Sequence, residues 1–372
     1  MPESPDTDPL RIAGTAHAMF AFDIGFQVDL DAAERLVSES SRQRVLRGRR
    51  PAPVWFDYSP PPLRLTLEGS SVSVGAHETE SSAEILVYDF GAALLTYRIA
   101  LPETLDGLAA MSTELYDHAA LEADARARVR SVIEVLGSSI ERARLNEASE
   151  DYVAYAITSW SEGVSPREAF ERSRMAFAKV IEAERVELSE EQALRSTEGV
   201  MSYATSDLAV IDWNASILFD AAPDDVISVL QHANIELLEL RVLDQELDEI
   251  LDHADETLAV LSHKMIWPGF SSGAMLARFA SVQTDAAVMF EGVNNAIKLL
   301  GNQYLARLYR LAAERLDLGA WQESVRRKLD VTESLYGKMS DTTSTRRLET
   351  LEWVIIALIA VSIALPFTPW YH

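Results

Sequence analysis

ILVYDFGAALLTY at Ile85–Tyr97 and LAVIDWNASILFD at Leu208–Asp220 read as one pattern written twice. In each, an apolar run meets an acidic–aromatic pair, and a second apolar run follows. Asp89-Phe90-Gly91-Ala92 aligns with Asp212-Trp213-Asn214-Ala215. Apolar runs rich in strand-forming residues on either side of a short break signal a pair of adjacent β-strands. Gly91 and Asn214 are residue types that tolerate the positive φ of a tight turn or bulge.

The neighbours of the two segments agree as well. A strand and then a helix come first: His17–Val28 and Asp31–Arg44 in one half, Asp151–Trp160 and Pro166–Glu184 in the other. A long helix follows each, Leu105–Ile140 and Asp224–Leu261. The expectation is a duplicated β-α-β-β-α unit, with 1–145 as its first half and 146–262 as its second. The two form one α+β body with helices on one face of a sheet. Leu63–Val74 adds an alternating stretch behind Pro60, Pro61 and Pro62. A third aspartate turn, at Asp23 and Gly25, stands near the N-terminus in FAFDIGFQVD.

The helix from Asp224 carries a heptad. Leu230, Leu237, Asp244, Leu251 and Leu258 take one seam position; Ala233, Leu240, Leu247, Ala254 and Leu261 take the other. Two readings fit. The seam joins copies of the chain, with Asp244 setting register, or the helix packs on the sheet with Asp244 at the edge of its buried stripe. Beyond the breakers Pro268, Gly269 and Gly273, residues 272–345 read as a long α-helical hairpin or coiled-coil stalk, turning at Asp317–Gly319.

From Trp353 to Phe367 no residue is charged. Ile355, Ile356, Leu358, Ile359, Ile363 and Leu365 carry this run, and Leu351 and Glu352 lead into it. Fifteen helical residues cover about 22 Å of a hydrocarbon core of about 30 Å, so 348–370 is needed for a single C-terminal transmembrane helix. Arg346 and Arg347 precede it, while Trp353, Trp370 and Tyr371 suit two interfacial belts. With the basic flank on the side of the body, the expected placement is single-pass, with the N-terminal body in the cytoplasm. The competing reading is an apolar helix inside an oligomer core.

Composition sets the outer limits. The chain has 372 residues, 48% of them hydrophobic, and net charge −25. That suffices for a sizeable core and argues against direct nucleic-acid binding. An acidic body does not adhere to an anionic leaflet by itself, so attachment needs an apolar anchor. Residues 301–350, at net +2, are far less acidic than the whole. There is no cysteine, which excludes disulfides, thiolate zinc sites and a cysteine nucleophile. The opening MPESPDTDPLRIAG has no basic-then-apolar leader.

Motifs for chemistry are missing. No glycine-rich phosphate loop, paired metal-binding histidines or nucleophile elbow occurs, so no catalytic residue, metal site or cofactor is expected. Asp244, Asp248 and Asp252 line one helical face beside Glu249 and His253; an acidic face that docks a basic partner is the commoner use of such a run. Arg126, Arg128, Arg130, Arg142 and Arg144, interleaved with Glu122, Glu134 and Glu141, suggest an ion-paired face.

RRLETLEWVIIALIAVSIALPF at Arg346–Phe367 resembles the C-terminal signature of the required-for-meiotic-nuclear-division (YagE-type) family of uncharacterised proteins. Arg347, Leu348, Leu351, Glu352 and Trp353 carry the match, interrupted by Glu349-Thr350. Lys328–Asp341 resembles that family's approach to the membrane, and Phe20–Asp29 its early strand, with Ile24 in place of an aromatic. The resemblance implies a tail-anchored protein with no established enzymatic activity. Its mitochondrial relatives are homo-oligomeric inner-membrane proteins that support translation, with ribosome anchoring as the suggested means. The expectation is therefore a membrane-anchored, homo-oligomeric scaffold. The alternatives are a tether for ribosomes or another basic protein or ribonucleoprotein, and an enzyme whose site lies where Asp89 and Asp212 meet.

Overall fold

The computed structural model describes residues 10–40, 46–47, 60–263, 281–282, 284, 286 and 303–334. The chain divides into two units, Met1–Val242 with Ala287–Gln322, and Leu243–Ala286 with Glu323–His372.

The first unit opens with β1 (Ile12–Asp23), β2 (Gln27–Val28), α1 (Leu30–Ser40), β3 (Leu46–Arg47) and β4 (Leu63–Glu68). The ribbon β5 (Ser73–Val74) and β6 (His77–Glu78) precedes the hairpin β7 (Ser82–Val87) and β8 (Ala92–Ala100). After α2 (Leu105–Leu115) and α3 (Ala119–Leu136) come β9 (Ile140–Glu141) and β10 (Ser149–Trp160). Then α4 (Pro166–Arg172), α5 (Arg174–Glu182) and α6 (Glu190–Ser196) lead to β11 (Val200–Met201), β12 (Leu208–Ile211) and β13 (Ala215–Phe219). The 40-residue α7 (Asp224–His263) leaves this unit after Val242. Helices α8 (Gln303–Arg315) and α9 (318–334) close the described chain.

Nine strands form one sheet in the order β11-β12-β13-β10-β1-β8-β7-β4-β3. Both hairpins form where their apolar runs place them; in the first half β3, β4, β5 and β6 stand between α1 and the hairpin, and in the second α4, α5, α6 and β11 stand between β10 and the hairpin. Their polarity differs. β8 runs antiparallel to β1, whereas β13 runs parallel to β10. The halves join through β1 and β10, antiparallel from Ile12 to Phe22.

Strand alternation assigns the faces. Ala16, Ala18, Phe20 and Phe22 point into a core with Leu108, Met111, Val129, Phe170 and Phe177 from the helices α2–α5. His17, Met19 and Ala21 point the other way. There Gln231 Nε2 of α7 donates to Thr96 Oγ1 at 3.3 Å, Thr96 being the β8 partner of Met19. Helices therefore cover both faces, correcting the expectation of one. The reason is the composition of α7: Val229, Leu230, Ala233, Ile235 and Leu238 are all fully buried, and apolar residues around the whole circumference demand neighbours on every side.

Two expected long helices break. Between α2 and α3, Asp117 takes φ of 51° and His118 Nδ1 accepts from the Leu121 amide at 3.1 Å, so the chain restarts with a cap. Ser173 separates α4 from α5. The turn expected at Asp317–Gly319 forms at Leu316–Asp317, with Asp317 at φ 53°. Among the described residues no helix is long and apolar enough to cross a membrane. The expected anchor at 348–370 lies outside the described residues.

Candidate functional site

The three aspartate turns gather at one end of the sheet. Asp23 closes β1 and pairs with Ala92, the first residue of β8. Ala215, at the start of β13, pairs with Val153 near the start of β10, which lies at that same end of β1. The β7–β8 turn at Asp89 and the β12–β13 turn at Asp212 therefore flank Asp23.

Asp23 is buried, and its carboxylate accepts four hydrogen bonds. Gly25 N donates to Oδ1 at 3.1 Å. Arg144 donates to Oδ2 at 2.8 and 3.2 Å, and Asn146 Nδ2 donates at 3.1 Å. The backbone repeats the link, with Arg144 N donating to Ile24 O and Asn146 N to Asp23 O. A buried carboxylate requires such donors. Arg142, at φ 53°, lays its guanidinium 4.0 Å from the Phe26 ring centre.

The glycines of this corner allow the backbone to touch itself. Ile24 N donates to Gly91 O at 2.8 Å and Val28 N to Asp89 O at 2.7 Å. Gly91 takes φ of 93°, as its turn position predicts. Asn214 does not take a positive φ, correcting that expectation. Its Nδ2 instead donates to Ile181 O at 3.1 Å, tying the turn to α5.

Asp89 is partly buried; burial pushes its carboxyl up, while its own amide and that of Phe90 pull it down. Asp212 is only 7% exposed, and burial pushes its carboxyl up to about 6. The Trp213 amide and Arg315 lower it and Glu182 raises it. Next to it Trp213 is 56% exposed. Tyr152 Oη donates to Asp212 O at 3.1 Å. A carboxyl titrating near 6 can take a proton at neutral pH.

Asp89 and Asp212 do not share a site. Strands β10 and β1 separate their hairpins, three inter-strand steps or about 14 Å. Between them Glu150 pairs with Arg241 of α7, and burial raises its carboxyl.

Reading α7 for its leucines passes over a polar layer. Gln231, His232, Asn234 and Glu236 are all buried. Tyr309 Oη of α8 donates to Glu236 Oε2, and Gln322 Nε2 of α9 donates to Oε1 at 2.9 Å. The rings of His232 and Tyr309 lie 5.7 Å apart. The cluster of polar residues inside an otherwise apolar turn was the available signal. Of the seam, Leu230, Leu240 and Leu247 are buried within the chain, and Leu237 and Leu251 are partly buried. The side chain of Leu258 lies outside the described residues. In the second unit, Asp244 accepts from Lys328 Nζ at 2.8 Å and from Ser324 Oγ at 2.9 Å. Lys328 also reaches Asp248 at 2.6 Å, so two carboxylates of the acidic face are already engaged. Of the arginines expected on an ion-paired face, Arg126 pairs with Glu122 and Arg128 with Asp124. Among the described residues no three His, Asp or Glu converge as a metal site.

A family model described as "Uncharacterized protein MJ0711, N-terminal domain" matches residues 13–225, from β1 to the start of α7. The match spans all three aspartate turns. The "Uncharacterized protein MJ0711" of Methanocaldococcus jannaschii is 24% identical over 240 residues, 61% of this chain and 69% of that protein. No solved structure matches.

Proposed function

The chain belongs to the family of the MJ0711 N-terminal domain, and for this member we propose a membrane-anchored, oligomeric scaffold or tether with its body in the cytoplasm. The observation that carries the reading is the uncharged run Trp353–Phe367 behind Arg346 and Arg347, in a chain of net charge −25. Such a body gains nothing from an anionic leaflet, so an apolar segment has to supply the attachment. The resemblance of residues 328–367 to the required-for-meiotic-nuclear-division family supports the same reading. So does α7, whose polar side chains bond to other parts of the body and stiffen it.

The test is native mass in detergent for the full-length protein beside a version ending at Asp341, after alkaline washing of membranes. The full-length protein is expected to resist washing and both forms to be the same closed oligomer. Release of the full-length protein by washing, or a monomer across a wide concentration range, would sink the proposal.

A second reading, an enzyme acting at the Asp212 turn, is favoured by a buried carboxyl titrating near 6 beside an exposed tryptophan. Metabolite mixtures incubated with wild-type protein and with Asp212→Asn separate the two. A product formed by wild type alone supports the enzyme; identical mixtures remove it.

A further inference from the structure

His17 of β1 and Arg98 of β8 are register partners, so they stand side by side on the α7 face of the sheet. The His17 ring is 8% exposed, yet its imidazole has no hydrogen-bond partner among the described residues. Its nitrogens keep contact with solvent. An imidazole edge that meets solvent and bonds to no described side chain is free to bond an incoming ligand. Arg98 is half-buried, and among the described residues its guanidinium has neither an ion pair nor a hydrogen bond. In a chain with 58 acidic and 33 basic residues, a half-buried arginine left without a carboxylate is open to an anion from outside.

Ala154 lies across from His17 on β10, and Ser216 lies beyond it on β13. Gln231 of α7 bonds Thr96, two residues from Arg98 on the same face of β8, and the exposed Asp224 begins that helix two turns earlier; Arg98 and Asp224 are the charges acting on the imidazole. Asp220 and Asp225 add negative charge next to Asp224.

We infer that Arg98, His17 and Asp224 form a binding site for a phosphate-class oxyanion that still carries a proton. Arg98 offers a planar fork to two oxygens. His17 is held neutral by burial and by Arg98, at about 4, and presents one N–H donor. Asp224 can only accept, so it needs an O–H from the ligand. Inorganic phosphate and phosphate monoesters with a protonated oxygen supply that group; sulfate does not. The neighbouring Asp220 and Asp225 add to the bias against a fully ionised anion.

The test uses full-length protein in detergent at pH 6.5, titrated calorimetrically with inorganic phosphate and separately with sulfate. Saturable phosphate binding and no sulfate binding are expected, together with a shift of the His17 ring protons. Arg98→Gln should weaken phosphate about tenfold or more. Arg35→Gln, on the exposed side of α1, should leave it unchanged. Asp224→Asn alters only an exposed side chain and should bring sulfate up to the level of phosphate, which keeps the inference testable if Arg98→Gln does not fold. Absent phosphate binding, equal affinity in Arg98→Gln, or equal binding of sulfate by the wild type each overturns it.

Discussion

At Gly91, φ is 93° and an added Cβ would stand 2.0 Å from the carbonyl oxygen of Gly25. That oxygen belongs to backbone and cannot swing aside. Gly91→Ala is therefore expected to cost at least about 2 kcal/mol in urea denaturation; a loss below half of that would mean the two turns separate without strain. Asp212 makes a prediction of opposite sign. Its folded carboxyl, raised to about 6 from an ordinary 3.8, binds a proton the unfolded chain has released. Stability from this group is therefore present at low pH and is lost as pH rises through 4 to 6, by about 3 kcal/mol. Asp212→Asn should stabilise the protein at pH 7.5 and do little at pH 4.5. An equal effect at both values would show that burial does not govern this group. His17 and His232 act in the other direction. Both are held at about 4 by burial, so their contribution is full above 6.5 and falls away as pH drops toward 4.

Asp244 sits at a heptad seam position, where a carboxylate is costly unless paired. Lys328 and Ser324 of α9 supply the pair, and the Asp244 side chain is only 15% exposed. Lys328→Met alone should destabilise by about 1–3 kcal/mol, because it leaves a carboxylate that is only 15% exposed without its counter-charge. Adding Asp244→Leu should recover most of that loss, as seen in denaturation midpoints. If the double variant lost the sum of two independent costs, the pair would have no coupling. The leucines of this helix were legible from their spacing, and so were both hairpins, because each carries its turn residues between its own apolar runs. Partners were not legible. Nothing local links Asp244 to Lys328, Gln231 to Thr96, or Glu236 to Tyr309, since each bond joins residues far apart in sequence. Asp89 and Asp212 looked equivalent because their flanks match; strand order, which neither flank encodes, keeps them apart. Asn214 has a turn-forming side chain, but a bond to Ile181 O claims it.

For the molecule as a whole, the joint between the halves decides what can fold alone. β1 is the innermost strand contributed by the first half, with β8 on one side and β10 on the other. Removing everything after residue 145 would leave β8 in place and strip β10 from Ile12 to Phe22. A long and apolar strand would then present unpaired amides and carbonyls along one edge, the arrangement that promotes strand-to-strand aggregation. Phe20 and Phe22 would also lose their register partners Asp151 and Ser149. The matching hairpin sequences of the two halves do not rescue the fragment, because the second hairpin meets its long strand with the opposite polarity and cannot be replaced by a second copy of the first. A fragment of residues 10–145 is therefore expected to be insoluble or to form large assemblies in size-exclusion chromatography, whereas 10–145 co-expressed with 146–334 should reassemble through β1 and β10. A fragment 10–145 that stays monomeric and melts cooperatively would show that the first half has its own closed core and that the β1–β10 joint is a docking contact between two domains.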